Sequence, residues 1–181
     1  MTPRDCTPRA QERKATRTRF ALTALLLLVS LGSGAATGTE DFALPDPQAR
    51  DACPVCGMLV ARYPAWIATV QYEDGHADHF DGAKDLFKYL FDLSRYAPGR
   101  ELRDVVAMGV TEYYGLTRID ARSAWYVVGS EVLGPMGHEL VPLATIEDAR
   151  EFKADHQGTR MLRFDAISPE LLRDLDAGRL R

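Results

Sequence analysis

AWIATVQYEDGHADHF, residues 65–80, alternates apolar and polar side chains, is rich in β-branched and aromatic residues, and is broken by EDG at 73–75. That pattern predicts a strand over Ala65–Tyr72, a tight turn, and a short returning strand over HADHF. The next stretch, DGAKDLFKYLFDL, places Leu86, Phe87, Leu90 and Phe91 at helical spacing, with Asp81 as the expected N-cap. The same order returns downstream. SAWYVVGS (123–130) reads as a strand, GPMGHELVPL (134–143) as a turn and returning strand, and TIEDAREFKADH (145–156) as a helix capped by Thr145. Glu147 and Asp148 fall in that helix's first turn, where the macrodipole favours acids.

The fold class expected is therefore α+β, built from two ββα-type units that both begin with Ala-Trp and read as a degenerate internal duplication. The alternative is that ββα is a common motif and the Ala-Trp pair recurs by chance. Between the units lies DVVAMGVTEYY (104–114), a strand, and TRMLRFDAI (159–167) forms a last strand. SPELLRDLDAG follows as a short helix with Ser168 as cap and Pro169 at its first position. The boundaries expected are a first unit at 53–99, a second at 100–172 and a C-terminal tail at 173–181.

Ahead of these units, residues 1–19 hold six basic side chains against two acidic ones. An apolar run, Phe20–Leu31, and the small-residue stretch GSGAATG follow. This is the layout of a secretory signal over residues 1–36. Its twelve apolar residues fall short of the roughly 20 that a spanning helix needs. Residues 37–52, polar with two prolines, read as a flexible tether. Removal of 1–36 shifts the formal charge from −4 to −8 and takes Cys6 with it. An acidic exported chain without a basic stripe is a poor partner for nucleic acid or anionic lipid.

Two cysteines remain, in DACPVCGMLV at 51–60, with Met58 two residues beyond Cys56. A c-type haem would need His where Gly57 stands. A structural zinc site could recruit His76 and His79, although their spacing is shorter than that of zinc fingers and both fall in a predicted strand. A thiol–disulfide oxidoreductase would set the first thiol at a helix N-terminus after a buried strand, and here a polar tether precedes it. The fourth occupant, Cu(I), is selected by thiolate and thioether and is also served by imidazole. GPMGHE (134–139) supplies Met136 and His138, two apart, so an extended segment would send both from one face. The expected donor set is Cys53, Cys56, Met58, Met136 and His138. Met108 and Met161 sit in apolar strand patterns, His156 ends a helix, and His79 is not counted as a ligand.

At these residues the sequence resembles the NosL-type family, accessory proteins of nitrous-oxide reductase. The likeness runs from CPVCGM through FDGAKDLFKYL and AWYVVGSEVLGPMGHELVP to EDAREF and the final strand. It implies a periplasmic Cu(I) metallochaperone, not an enzyme, that delivers copper for assembly of the reductase's copper centres. Its partners would be a copper-receiving apo-enzyme and a copper donor protein or exporter. Cys53, Cys56 and Met58 match the family's CxxCGM, and Met136 and His138 its GPMG-type motif. The family's usual lipoprotein cysteine, straight after the apolar run, has no counterpart in GSGAATG. A soluble or signal-anchored form is expected instead.

Overall fold

The computed structural model describes residues 43–180. The signal segment, its cleavage, Cys6 and tether residues 37–42 lie outside the described residues. The opening alternation becomes β1 (Ala68–Tyr72) and β2 (Ala77–Phe80), paired antiparallel with Ala68 opposite Phe80 and Val70 opposite Asp78. Gly75 adopts φ +85° in the turn between them, a conformation that suits glycine. The helix α1 (Ala83–Phe91) follows, then a short α2 (Leu93–Tyr96) and β3 (Val105–Thr111). With β4 (Arg118–Asp120) these strands form an antiparallel sheet in the order β2-β1-β3-β4.

The second sheet contains β5 (Trp125–Val128), β8 (Val141–Leu143) and β9 (Arg160–Arg163) in the order β8-β5-β9. Between β5 and β8 a small hairpin is made by β6 (Leu133–Gly134) and β7 (Gly137–His138). Helix α3 (Ile146–Asp155) is capped by Thr145, whose hydroxyl accepts from the Asp148 N–H. Helix α4 (Pro169–Asp176) is capped in the same way by Ser168, through the Leu171 N–H.

The protein is thus mixed α and β, as expected, and in both sheets the first strand in sequence is flanked by two partners, β1 by β2 and β3 in the four-stranded sheet and β5 by β8 and β9 in the three-stranded one. This likeness of order does not establish a duplication. The halves share a core: Val70, Phe80, Phe87, Tyr126, Leu140, Leu162 and Leu172 pack in one cluster. Along β5, Tyr126 and Val128 face that cluster, while Val127 enters a second one under α3 with Val141, Leu143, Ala149 and Phe152.

Four local expectations are corrected. The N-cap of α1 is Gly82 rather than Asp81, because the Asp81 carboxylate is occupied by the Cys56 thiol. Phe91, expected on the buried face of α1, is 46% exposed at the helix end. Residues 43–52 are docked rather than free: Arg118 donates to the Pro45 carbonyl (3.1 Å) and pairs with Asp46 (2.9 Å). Helix α4 crosses the expected boundary at 172, since Leu175 continues the buried stripe of Leu171 and Leu172.

Candidate metal centre

The CPVCGM turn is closed by backbone bonds. The Cys53 N–H donates to the Met58 carbonyl and the Gly57 N–H to the Cys53 carbonyl, both at 2.8 Å. Gly57 sits at φ +80°, so the turn requires a residue tolerant of the left-handed region. The turn brings both cysteines, as free thiols, to the start of α1. Cys53 is 2% exposed and its thiol donates to Asp85 Oδ2 at 3.5 Å. Cys56, partly buried, donates to Asp81 Oδ1 at 3.1 Å. One donor atom from each of Cys53, Cys56, Asp81 and Asp85 lies within 4.8 Å of the other three.

The carboxylates are themselves buried. Among the described residues, Asp81 Oδ2 has no hydrogen-bond partner, and Asp85 Oδ1 has only the Lys88 ammonium, 3.4 Å away. Burial pushes the Cys53 thiol up to about 12, the Asp85 charge adding to the effect against backbone donors that lower it. Burial likewise raises the Cys56 thiol, and its bond to Asp81 helps hold the proton. A nucleophilic cysteine needs the opposite shift. Iodoacetamide at pH 8 should therefore label the folded, metal-free protein more than about tenfold more slowly than the urea-unfolded chain. Labelling at equal rates would show that these thiols are not suppressed.

The other expected donors lie in the β6–β7 hairpin. Gly137, at φ +81°, reverses the chain between Met136 and His138. The alternation of an extended strand does not apply across that reversal, so Met136 and His138 do not leave one face of a strand as their spacing predicts. Met136 is 46% exposed at the tip. His138 is half-buried, its buried Nδ1 has no partner among the described residues, and it lines a cavity of about 340 Å³ with Gly129, Ser130, Glu131, Leu133 and Gln157.

The hairpin is held against α1 by a lysine that no sequence motif marks. Lys84, buried in the first turn, donates through Nζ to the carbonyls of Met136 (3.0 Å) and His138 (2.7 Å) and pairs with Asp176 (3.1 Å). In return Glu139 Oε1 accepts from the backbone N–H of Lys84 (2.6 Å) and of Leu140 (2.9 Å). α1 has no side-chain cap of its own, so this carboxylate from the other half of the chain serves its N-terminus. A Cβ on Gly82 would meet Glu139 Oε2 at 2.4 Å, which explains why glycine stands there. Burial raises Glu139 to about 7, opposed by the Lys84 charge and the two backbone donors.

The five expected donors therefore fall into two groups on neighbouring residues of one helical turn. The Cys53 thiol meets Asp85 and the Cys56 thiol meets Asp81 just ahead of the helix, while the hairpin meets Lys84. Met58 closes the thiol turn through its carbonyl. Asp81, Lys84, Asp85 and Glu139 were not read as site residues. The one signal available was a pair of acids four apart at a helix start. The two histidines weighed for zinc stand outside the thiol cluster. His76 is exposed beside Asp78, and buried His79 shares a hydrogen bond with Thr69 (Nδ1 to Oγ1, 2.9 Å).

Comparison with known proteins agrees with this architecture. The copper-binding lipoprotein NosL of Stutzerimonas stutzeri is 31% identical over 125 residues, covering 68% of this chain. The chain spans 65% of that relative's length. The crystal structure of the copper chaperone NosL from Shewanella denitrificans superposes with a TM-score of 0.59 at 25% identity, covering 71% of this chain and 98% of that one. The NosL family profile matches residues 45–172, well over half of the sequence, and the chain belongs to the NosL family.

Proposed function

We propose that the protein is an exported copper carrier, without turnover, that holds Cu(I) at Met136 and His138 and passes it on during assembly of the copper centres of nitrous-oxide reductase. One observation carries the reading: a thioether and an imidazole belong to one hairpin whose backbone is fixed by Lys84 while the Met136 side chain stays exposed. Thioether is a soft donor that selects Cu(I), and imidazole also serves copper. An exposed one lets an incoming ligand add before an outgoing one leaves. The basic, apolar and small-residue leader supports export to the periplasm, and relatives that are a copper-binding lipoprotein and a copper chaperone support the cargo. Cys53, Cys56 and Met58, expected in the same donor set, belong to the separate turn whose thiols bond Asp85 and Asp81, and exchange with partners is assigned to the hairpin.

Titration of the reduced protein with Cu(I) against a competing chelator tests this. One tightly held ion is expected, with affinity falling at least tenfold in Met136→Ala and in His138→Ala, as loss of one ligand of a low-coordinate ion requires (about 1.4 kcal/mol or more). Two variants that hold copper as well as the wild type would remove the hairpin from the site.

A further inference from the structure

A cavity of about 260 Å³ opens where the end of α1 meets the link between β9 and α4, and none of the five expected metal donors lines it. Phe87, Leu90, Met108 and Ile167 form its buried part. Phe91 and Leu102, 46% and 58% exposed, leave its mouth apolar. The Phe87 ring lies 4.9 Å from that of Phe164 and 6.5 Å from that of Phe91, so three aromatic rings and a thioether share one hollow. Two charges complete the lining: Arg122, in the turn between β4 and β5, and Asp165, in the single turn after β9. The Arg122 N–H donates to Asp120 Oδ1 (2.9 Å), which holds that turn. Both charged side chains are exposed, and they line one opening without forming an ion pair with each other.

We propose that this cavity binds a free aromatic amino acid, its ring among the phenylalanines, its carboxylate on Arg122 and its ammonium on Asp165. Size sets the first limit. A dry apolar cavity of about 150 Å³ accommodates benzene, so this one has room for a phenyl or indole ring and the methylene that carries it. The lining sets the second, since aromatic rings and a thioether favour an aromatic occupant through edge, stacked and sulfur contacts. Charge sets the third. A ligand with a carboxylate alone would be drawn to Arg122 but repelled by Asp165, and one with an ammonium alone would meet the reverse. A small molecule that carries both charges next to its ring satisfies both side chains. This assignment stands independently of the copper reading.

Phenylalanine is the probe, titrated into isotope-labelled protein and followed by amide correlation NMR. Saturable shifts are expected at the amides of Phe91, Leu102, Arg122 and Phe164, with a dissociation constant below about 1 mM. Phenylethylamine and phenylpropionate, which each lack one charge, should bind at least about threefold more weakly, the scale of an exposed ion pair. Arg122→Gln should weaken phenylalanine by a similar factor and leave phenylethylamine no weaker. Asp165→Asn should weaken phenylalanine and leave phenylpropionate no weaker. Both positions are exposed, so the variants should unfold at the wild-type denaturant midpoint. Shifts that fail to saturate by about 10 mM overturn the site, as do equal affinities for the three ligands. N-acetylphenylalaninamide carries the ring without either charge. Binding of that compound as tightly as phenylalanine would also overturn the proposal, because the hollow would then suit an aromatic side chain of a partner protein.

Discussion

Glu139→Ala should lower the unfolding free energy at pH 5 by about 3 kcal/mol, because two buried backbone N–H groups lose their acceptor at about 1–3 kcal/mol each. Those groups belong to Lys84 and Leu140. Urea titration checks it, as a drop in midpoint at unchanged slope. Glu139→Gln should behave differently, since the amide oxygen keeps both bonds and carries no charge. The pH dependence follows from the raised carboxyl. Below about 4.5 both folded and unfolded forms hold the proton, so no penalty exists; from there to about 7 the unfolded chain ionises first and stability falls as pH rises; above about 7 the loss is complete. The wild type should lose about 3 kcal/mol across that window, and Glu139→Gln should flatten it, becoming the more stable of the two at pH 8. Identical pH profiles for wild type and Gln variant would show that this carboxylate is not the group responsible.

Phe87→Ala should cost about 3–5 kcal/mol, the range for removing a large aromatic from a packed interior. Phe87 packs edge-to-face on Tyr126 (ring centroids 5.3 Å) and against Phe164 (4.9 Å), which joins α1 of the first half to both ends of the second. The loss should therefore appear as one cooperative transition at lower denaturant. Two separated transitions, one unchanged from wild type, would show that the halves fold as independent units.

Much of the fold was legible because its signals are local. Alternation placed β1, β2 and β5, and the caps Thr145 and Ser168 make the bonds that their positions predict. What could not be read was set by contacts far apart in sequence. Asp81 reads as a cap until a thiol 25 residues earlier is seen to claim it. Lys84 reads as a solvated side chain within an apolar stripe, yet two carbonyls more than 50 residues later bury it. Glu139 carries no local sign of burial in the sequence, and only the space over Gly82, which lacks a Cβ, admits it to the interior. The tether reads as free because Arg118, which holds it, lies more than 70 residues downstream. The site sulfurs were visible as motifs. Their division into two groups was not, because it depends on which residues of α1 each motif reaches.

That division rests on two consecutive positions, Lys84 and Asp85, joined by a rigid planar amide. The helix start acts as a yoke: any tilt that draws the carboxylate toward the thiols also drags the ammonium that grips the hairpin. The two motifs are thus anchored one residue apart on the same helical turn.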